Sequence, residues 1–132
     1  MSNFDVAPNR AFPSYDIKKN FSRDIKRGNE QQQLVMDIFE GNSFEIKSDF
    51  MAHRTGNIAI EFQCRGKDSG IRTTESDHWV YKIINPDIII ILNTSRLRKF
   101  VENSMDKYKV IMGGDDRSSR MMLIPIREIL NM

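Results

Sequence analysis

The sequence has one cysteine, two histidines and no uninterrupted apolar run long enough to span a bilayer. Each shortage removes a class of answer. Cys64 alone cannot close an intramolecular disulfide or build a cysteine zinc site. His53 and His78 lack metal-ligand spacing, so the first reads as a turn residue and the second as a partly buried neighbour of Trp79. The most apolar stretch, IINPDIIIIL, is broken by Asn85-Pro86-Asp87 and is far too short for a transmembrane helix. No signal-peptide pattern opens the chain. These features point to a soluble protein of a reducing, cytoplasmic compartment with no membrane partner. Charge of one sign is also missing. Lys and Arg number 20 against 18 Asp and Glu, a net +2, which is too even to establish a polyanionic partner. There is no internal repeat and no low-complexity block.

What is present fits a single domain with a real core, since the chain has 132 residues. The organising stretch is 43–64, SFEIKSDFMAHRTGNIAIEFQC. Phe44 and Ile46 alternate with Glu45, Lys47 and Asp49. Ile58, Ile60, Phe62 and Cys64 then alternate with Ala59, Glu61 and Gln63. Period-two alternation predicts two strands, each burying its apolar side and holding polar groups on the other. Folding back around Thr55-Gly56 would make them an antiparallel hairpin with Asp49 opposite Glu61 and Lys47 opposite Gln63. Opposed Cβ atoms stand roughly 4.5–5.5 Å apart. Carboxylates that close repel, so a divalent cation is the natural group between them.

Residues 1–22, with Pro8 and Pro13, show no period and read as an extended or disordered arm before a domain over 23–132. Asn29 can cap a helix whose apolar stripe is Leu34, Val35, Ile38 and Phe39, ended by Gly41. Glu30 would then lie in the first turn, where the macrodipole favours an acid. Beyond the hairpin, Lys67–Gly70 reads as a loop and Thr73–Ser76 as a helical turn. Trp79–Ile83 and Ile88–Leu92 read as strands, the second apolar on both faces and so expected well inside a sheet. Thr94 or Ser95 would cap a helix through Asn103. Tyr108–Met112 and Met121–Ile124 follow as strands, with a helical turn over Arg127–Leu130. The order predicts a mixed α+β fold: a central mixed sheet flanked by helices.

An Asp ending one strand, a Glu-x-Lys-like motif on the next, and a preceding helix that carries Glu resemble the PD-(D/E)xK nuclease superfamily. Asp49, Glu61-Phe62-Gln63 and Glu30 carry the likeness. The compact size and helical opening resemble the Holliday junction resolvases of archaea and phages. SGIRTTESDHWVYKI, IIIILNTSRLRKFV and GGDDRSSRMMLIPI read like phage-type members. The likeness covers about 26–130. It implies a restriction-endonuclease-like sheet, Mg²⁺ (with Mn²⁺ expected to substitute) and a homodimer cutting branched or four-way junction DNA. A viral member would work in the host cytoplasm. Asp49 and Glu61 would bind the metal, with the Phe62 carbonyl as a third ligand and Glu30 acting directly or through water.

Phosphodiester hydrolysis needs an activated water and a hard cation, and Mg²⁺ uses one or two carboxylates while keeping several waters. The family's lysine is Gln63 here, which can orient a water but carries no charge. Lys47, on the side of Asp49, is a candidate to supply the ammonium group; its bland alternative is a surface pair with Glu45. DNA contacts are expected from Lys26 and Arg27, from His53, Arg54 and Thr55 near the metal, and from Arg72, Thr73 and Thr74, although ordinary capping explains the threonines equally well. Two other functions fit the same residues: a nuclease of duplex, flapped or single-stranded DNA, and a catalytically silent nuclease fold that binds DNA or protein.

Overall fold

The computed structural model describes residues 17–132, with side chains described from Asn20 onward. The chain divides after Gly41 into two compact units. In the first, α1 runs over Ile17–Phe39. Apolar residues at 17, 21 and 25 recur every fourth position and continue the stripe that resumes at Leu34, so one helix forms where a start at Asn29 was expected. Gly28 costs about 1 kcal/mol inside it, which the flanking lysines, arginines and glutamines, all good helix formers, tolerate. Glu30 therefore stands past the helix middle, exposed, and the first-turn dipole does not explain it. Phe21, Ile25, Leu34, Val35, Met36 and Phe39 are exposed on α1. The arm boundary at residue 22 falls within this helix, and residues 1–16 of the expected arm lie outside the described chain.

The second unit is a mixed α+β structure, the class the sequence implies, with its strands divided between two sheets. The first sheet joins β1 (Phe44–Asp49), β4 (His78–Ile83) and β5 (Ile88–Asn93) in the order β1-β4-β5. The second joins β2 (Asn57–Cys64), the two-residue β3 (Lys67–Asp68), β6 (Val110–Gly113) and β7 (Ser119–Pro125) in the order β3-β2-β7-β6. The expected β1–β2 hairpin does not form. A short helix α2, Ala52–Thr55, separates the two strands; β1 pairs in parallel with β4, and β2 pairs antiparallel with β7. Lys47 stands beside Tyr81 rather than Gln63, and Asp49 beside Ile83 rather than Glu61. The strands differ because Asp49 accepts the Met51 and Ala52 N–H groups, which turns the chain into α2 before a tight hairpin can close.

β5 is an edge strand rather than an interior one, and Ile89 is 62 % exposed. Helix α3, Thr94–Asn103, is capped by Asn93, whose side chain accepts from Arg96 N, one residue before the expected cap. The helical turn expected at Thr73–Ser76 is a 3-10 turn at Gly70–Arg72, and the C-terminal turn is a 3-10 segment at Ile126–Asn131. Ile58, Ile60 and Phe62 of β2, Trp79 and Tyr81 of β4, Leu97 and Val101 of α3, and Met122 and Ile124 of β7 form one core. Among the described residues, no helix is long and apolar enough to cross a membrane.

Gly70 locks the 3-10 turn against β2. Its φ is +55°, and a Cβ there would lie 2.2 Å from the Glu61 carbonyl oxygen. Ala in left-handed backbone costs roughly 1–2 kcal/mol before any clash. Gly70→Ala is therefore expected to lower stability by about 2 kcal/mol or more. Urea unfolding measures this, and an unchanged midpoint would contradict the close packing of this turn on Glu61.

Candidate active site

β1 presents its faces opposite to the expected way. Glu45, Lys47 and Asp49 share a sheet face with Trp79, Tyr81 and Ile83, all buried, whereas Ile46 lies on the other face and is 65 % exposed. The ionisable side of β1 thus looks inward. Lys47 and Asp49, with Ile46 and Ser48, line a cleft of about 570 Å³ together with Asn57, Ala59 and Glu61 from β2 and Met121 and Leu123 from β7. Lys47, Asp49 and Glu61 therefore come together, although their strands belong to different sheets. Trp79 and Tyr81 line the cleft floor, and Tyr81 donates its hydroxyl to the Ala59 carbonyl at 3.0 Å.

The charged groups of β1 have local support. Asp49 Oδ1 accepts from Met51 N at 2.8 Å and Ala52 N at 2.7 Å, which fixes the carboxylate. Lys47 Nζ lies 2.9 Å from Glu45 Oε1 and 5.2 Å from the centroid of the Trp79 ring. The Glu45–Lys47 pair expected as the bland alternative thus exists, and its Lys47 lines the cleft. Burial pushes the Glu45 carboxyl up; the Thr74 hydroxyl and the Lys47 ammonium outweigh it and hold the group below the usual carboxylate range.

Gln63 is turned away from this cleft. The β2–β7 register shifts between Glu61 and Gln63, so Glu61 faces Met121 while Gln63 faces Arg120, the next residue and hence the other side of β7. One extra residue in a strand flips all that follow. The Gln63 side-chain oxygen accepts from Arg120 Nη1 at 3.2 Å. The Phe62 carbonyl, expected as a metal ligand, accepts from Ser69 N at 3.1 Å, and the Phe62 ring is core. Thr55 lines the cleft, and His53 and Arg54 are exposed on α2. Arg72 is bound by Glu102 through Nε at 2.7 Å and by Asp68 through Nη1 at 3.2 Å, so phosphate contact there would require breaking ion pairs. Thr74 donates to Glu45, and Thr73 Oγ1 lies 3.4 Å from the Gly70 carbonyl, a capping role. Lys26, Arg27 and Glu30 are exposed on α1. Sequence reasoning paired Glu45 with Lys47 but missed the Trp79 ring beside the Lys47 ammonium, which strand alternation alone does not reveal.

The low Glu45 pKa carries a sign. A depressed carboxylate adds stability above its unfolded value, and this is lost as pH falls through the folded value. Thr74→Val should move the Glu45 titration upward and start that loss at a higher pH, as side-chain carboxyl NMR would record. An unmoved titration would assign the depression to Lys47 alone.

No family model, no curated protein and no solved structure matches this chain.

Proposed function

We propose that the protein is a metal-dependent DNA endonuclease of the PD-(D/E)xK type, acting on branched or four-way junction DNA as a homodimer. The observation that carries this reading is the meeting of Asp49, Glu61 and Lys47 in one cleft. The donor set suits Mg²⁺, which takes one or two carboxylates and keeps its other positions for water and phosphate oxygen. Bound between Asp49 and Glu61, such a cation would supply the Lewis acidity that hydrolysis of a phosphodiester requires.

The chain's own groups have separable roles. Asp49 is held by two backbone N–H groups, so its carboxylate is oriented before any ligand arrives. Glu61 lines the same cleft from the second sheet. Lys47 stands in for the lysine that Gln63 replaces, and its ammonium offers charge to the phosphoryl oxygens. Glu45 keeps Lys47 positioned from within the same strand. The exposed Arg23, Lys26 and Arg27 of α1 recur at helical spacing and suit a phosphate backbone, which would make binding steeply salt-dependent. Two near-symmetric incisions in a junction call for two sites related by a two-fold axis, hence the dimer. One observation favours a second reading, a silent fold that binds DNA without cutting: the motif position holds Gln63, and its side chain engages Arg120.

Labelled four-way junction, duplex, flap and single strand, incubated with Mg²⁺ and then with EDTA, discriminate these readings. Junction incision with Mg²⁺ that stops in EDTA is expected, with Asp49→Asn and Glu61→Gln each reducing it at least ~10²-fold. Preferred cutting of another substrate would replace junction specificity, and no cutting of any substrate would favour the binding module. Lys47→Met is expected to cost at least ~10²-fold in cleavage with folding intact. Wild-type activity in that variant would remove Lys47 from the chemistry.

A further inference from the structure

A second concavity, of about 330 Å³ and mostly polar, opens at the N-terminus of α3. It is lined by Ser76, His78, Asn93, Thr94, Ser95 and Arg98, among others, and shares no residue with the cleft. Thr94, the first residue of the helix, is only 3 % exposed, and its hydroxyl oxygen is buried with no hydrogen-bond partner. The His78 Nδ1 is likewise buried without a partner, on the strand position that pairs with Asn93. A buried unpaired polar atom costs about 1–3 kcal/mol, so a ligand that engages the Thr94 hydroxyl would recover part of that cost.

The surrounding donors set the sign of that group. Thr94 N–H donates to the Asp77 carbonyl at 3.1 Å and Arg96 N–H to Asn93 Oδ1 at 3.0 Å, which leaves the Ser95 N–H as the first-turn amide for a ligand. Helix N-termini favour negative charge, and α3 carries no acidic residue in its first turn. Arg98 fixes the adjoining loop by donating to the carbonyls of Ile71 at 2.8 Å and Thr74 at 2.6 Å, placing a full positive charge on the rim. Two carboxylates also line the cavity. Asp77 is engaged by the Ser43 N–H at 2.8 Å and the Ser43 hydroxyl at 3.2 Å, the backbone bond foremost in holding it below the usual carboxylate range; Glu75 is exposed to solvent.

We propose that this cavity binds an oxyanion of the phosphate type, held by the Thr94 hydroxyl, the Ser95 amide and Arg98. The proposal is independent of the cleft and stands whether or not the protein cleaves DNA. The same chemistry serves free phosphate or a nucleic-acid phosphodiester, so both are tested. The full chain, ¹⁵N-labelled, is titrated with inorganic phosphate in one arm and with the dinucleotide dTpdT in the other, against chloride at equal ionic strength. Saturable shifts of the Thr94, Ser95 and Arg96 amides in either arm are expected, whatever the Lys47 and Asp49 amides do; the arm that saturates identifies the source. Thr94→Val, which keeps shape and removes the hydroxyl, should weaken binding about tenfold or more, and Thr94→Ser should restore it. Absence of saturable shifts in both arms, or Thr94→Val binding as tightly as the parent, overturns the proposal.

Discussion

The hydrogen bond from the Tyr81 hydroxyl to the Ala59 carbonyl is the joint on which the cleft depends. β2 has no strand partner at Ala59 on the side away from β7, so that carbonyl would be left as an unpaired edge group. The Tyr81 ring is 1 % exposed, and burial pushes its pKa far above the ordinary tyrosine value. The hydroxyl thus remains a donor across the physiological range. With this bond in place, β1 and β2 can wall a common cleft while belonging to separate sheets.

The second constraint is the direction β1 faces. An alternating strand normally buries its apolar side. Here Trp79, Tyr81 and Ile83 hold the inner face of the neighbouring strand, and parallel pairing commits Glu45, Lys47 and Asp49 to that same face. The charges are tolerated because each is supported: Asp49 by two backbone amides, Lys47 by Glu45 and the Trp79 ring, and Glu45 by Thr74 as well as Lys47. Inward-facing charge on a strand is an arrangement that stability alone does not favour.

The bulge in β2 separates two residues that sequence spacing places together. Glu61 and Gln63 stand two apart, and in a regular strand they would share a face. The extra residue at Phe62 sends Gln63 to the side of Arg120, while Lys47 reaches the cleft from another strand. A cation can thus be present where the motif lysine is missing. Gly70, packed on the Glu61 backbone, holds the strand at the point where its register changes.

The residue pattern by itself determined the mixed α+β class, both strands of the 43–64 stretch, the Trp79–Ile83 and Ile88–Leu92 pair, the helix ending at Asn103 and the core face of β2, because these follow from local periodicity. It also singled out Asp49, Glu61 and Lys47. It did not determine which strands β1 and β2 pair with. The Asp49 side chain competes with a hairpin turn by capping α2, and that choice cannot be read from alternation, which is the same in either pairing. Partner choice rests on side chains distant in sequence, such as Trp79 and Tyr81 for β1 and Met121 and Leu123 for β2. For that reason only the tertiary structure decided that the charged side of β1 faces inward, that Gln63 leaves the cleft, and that Lys47 stays.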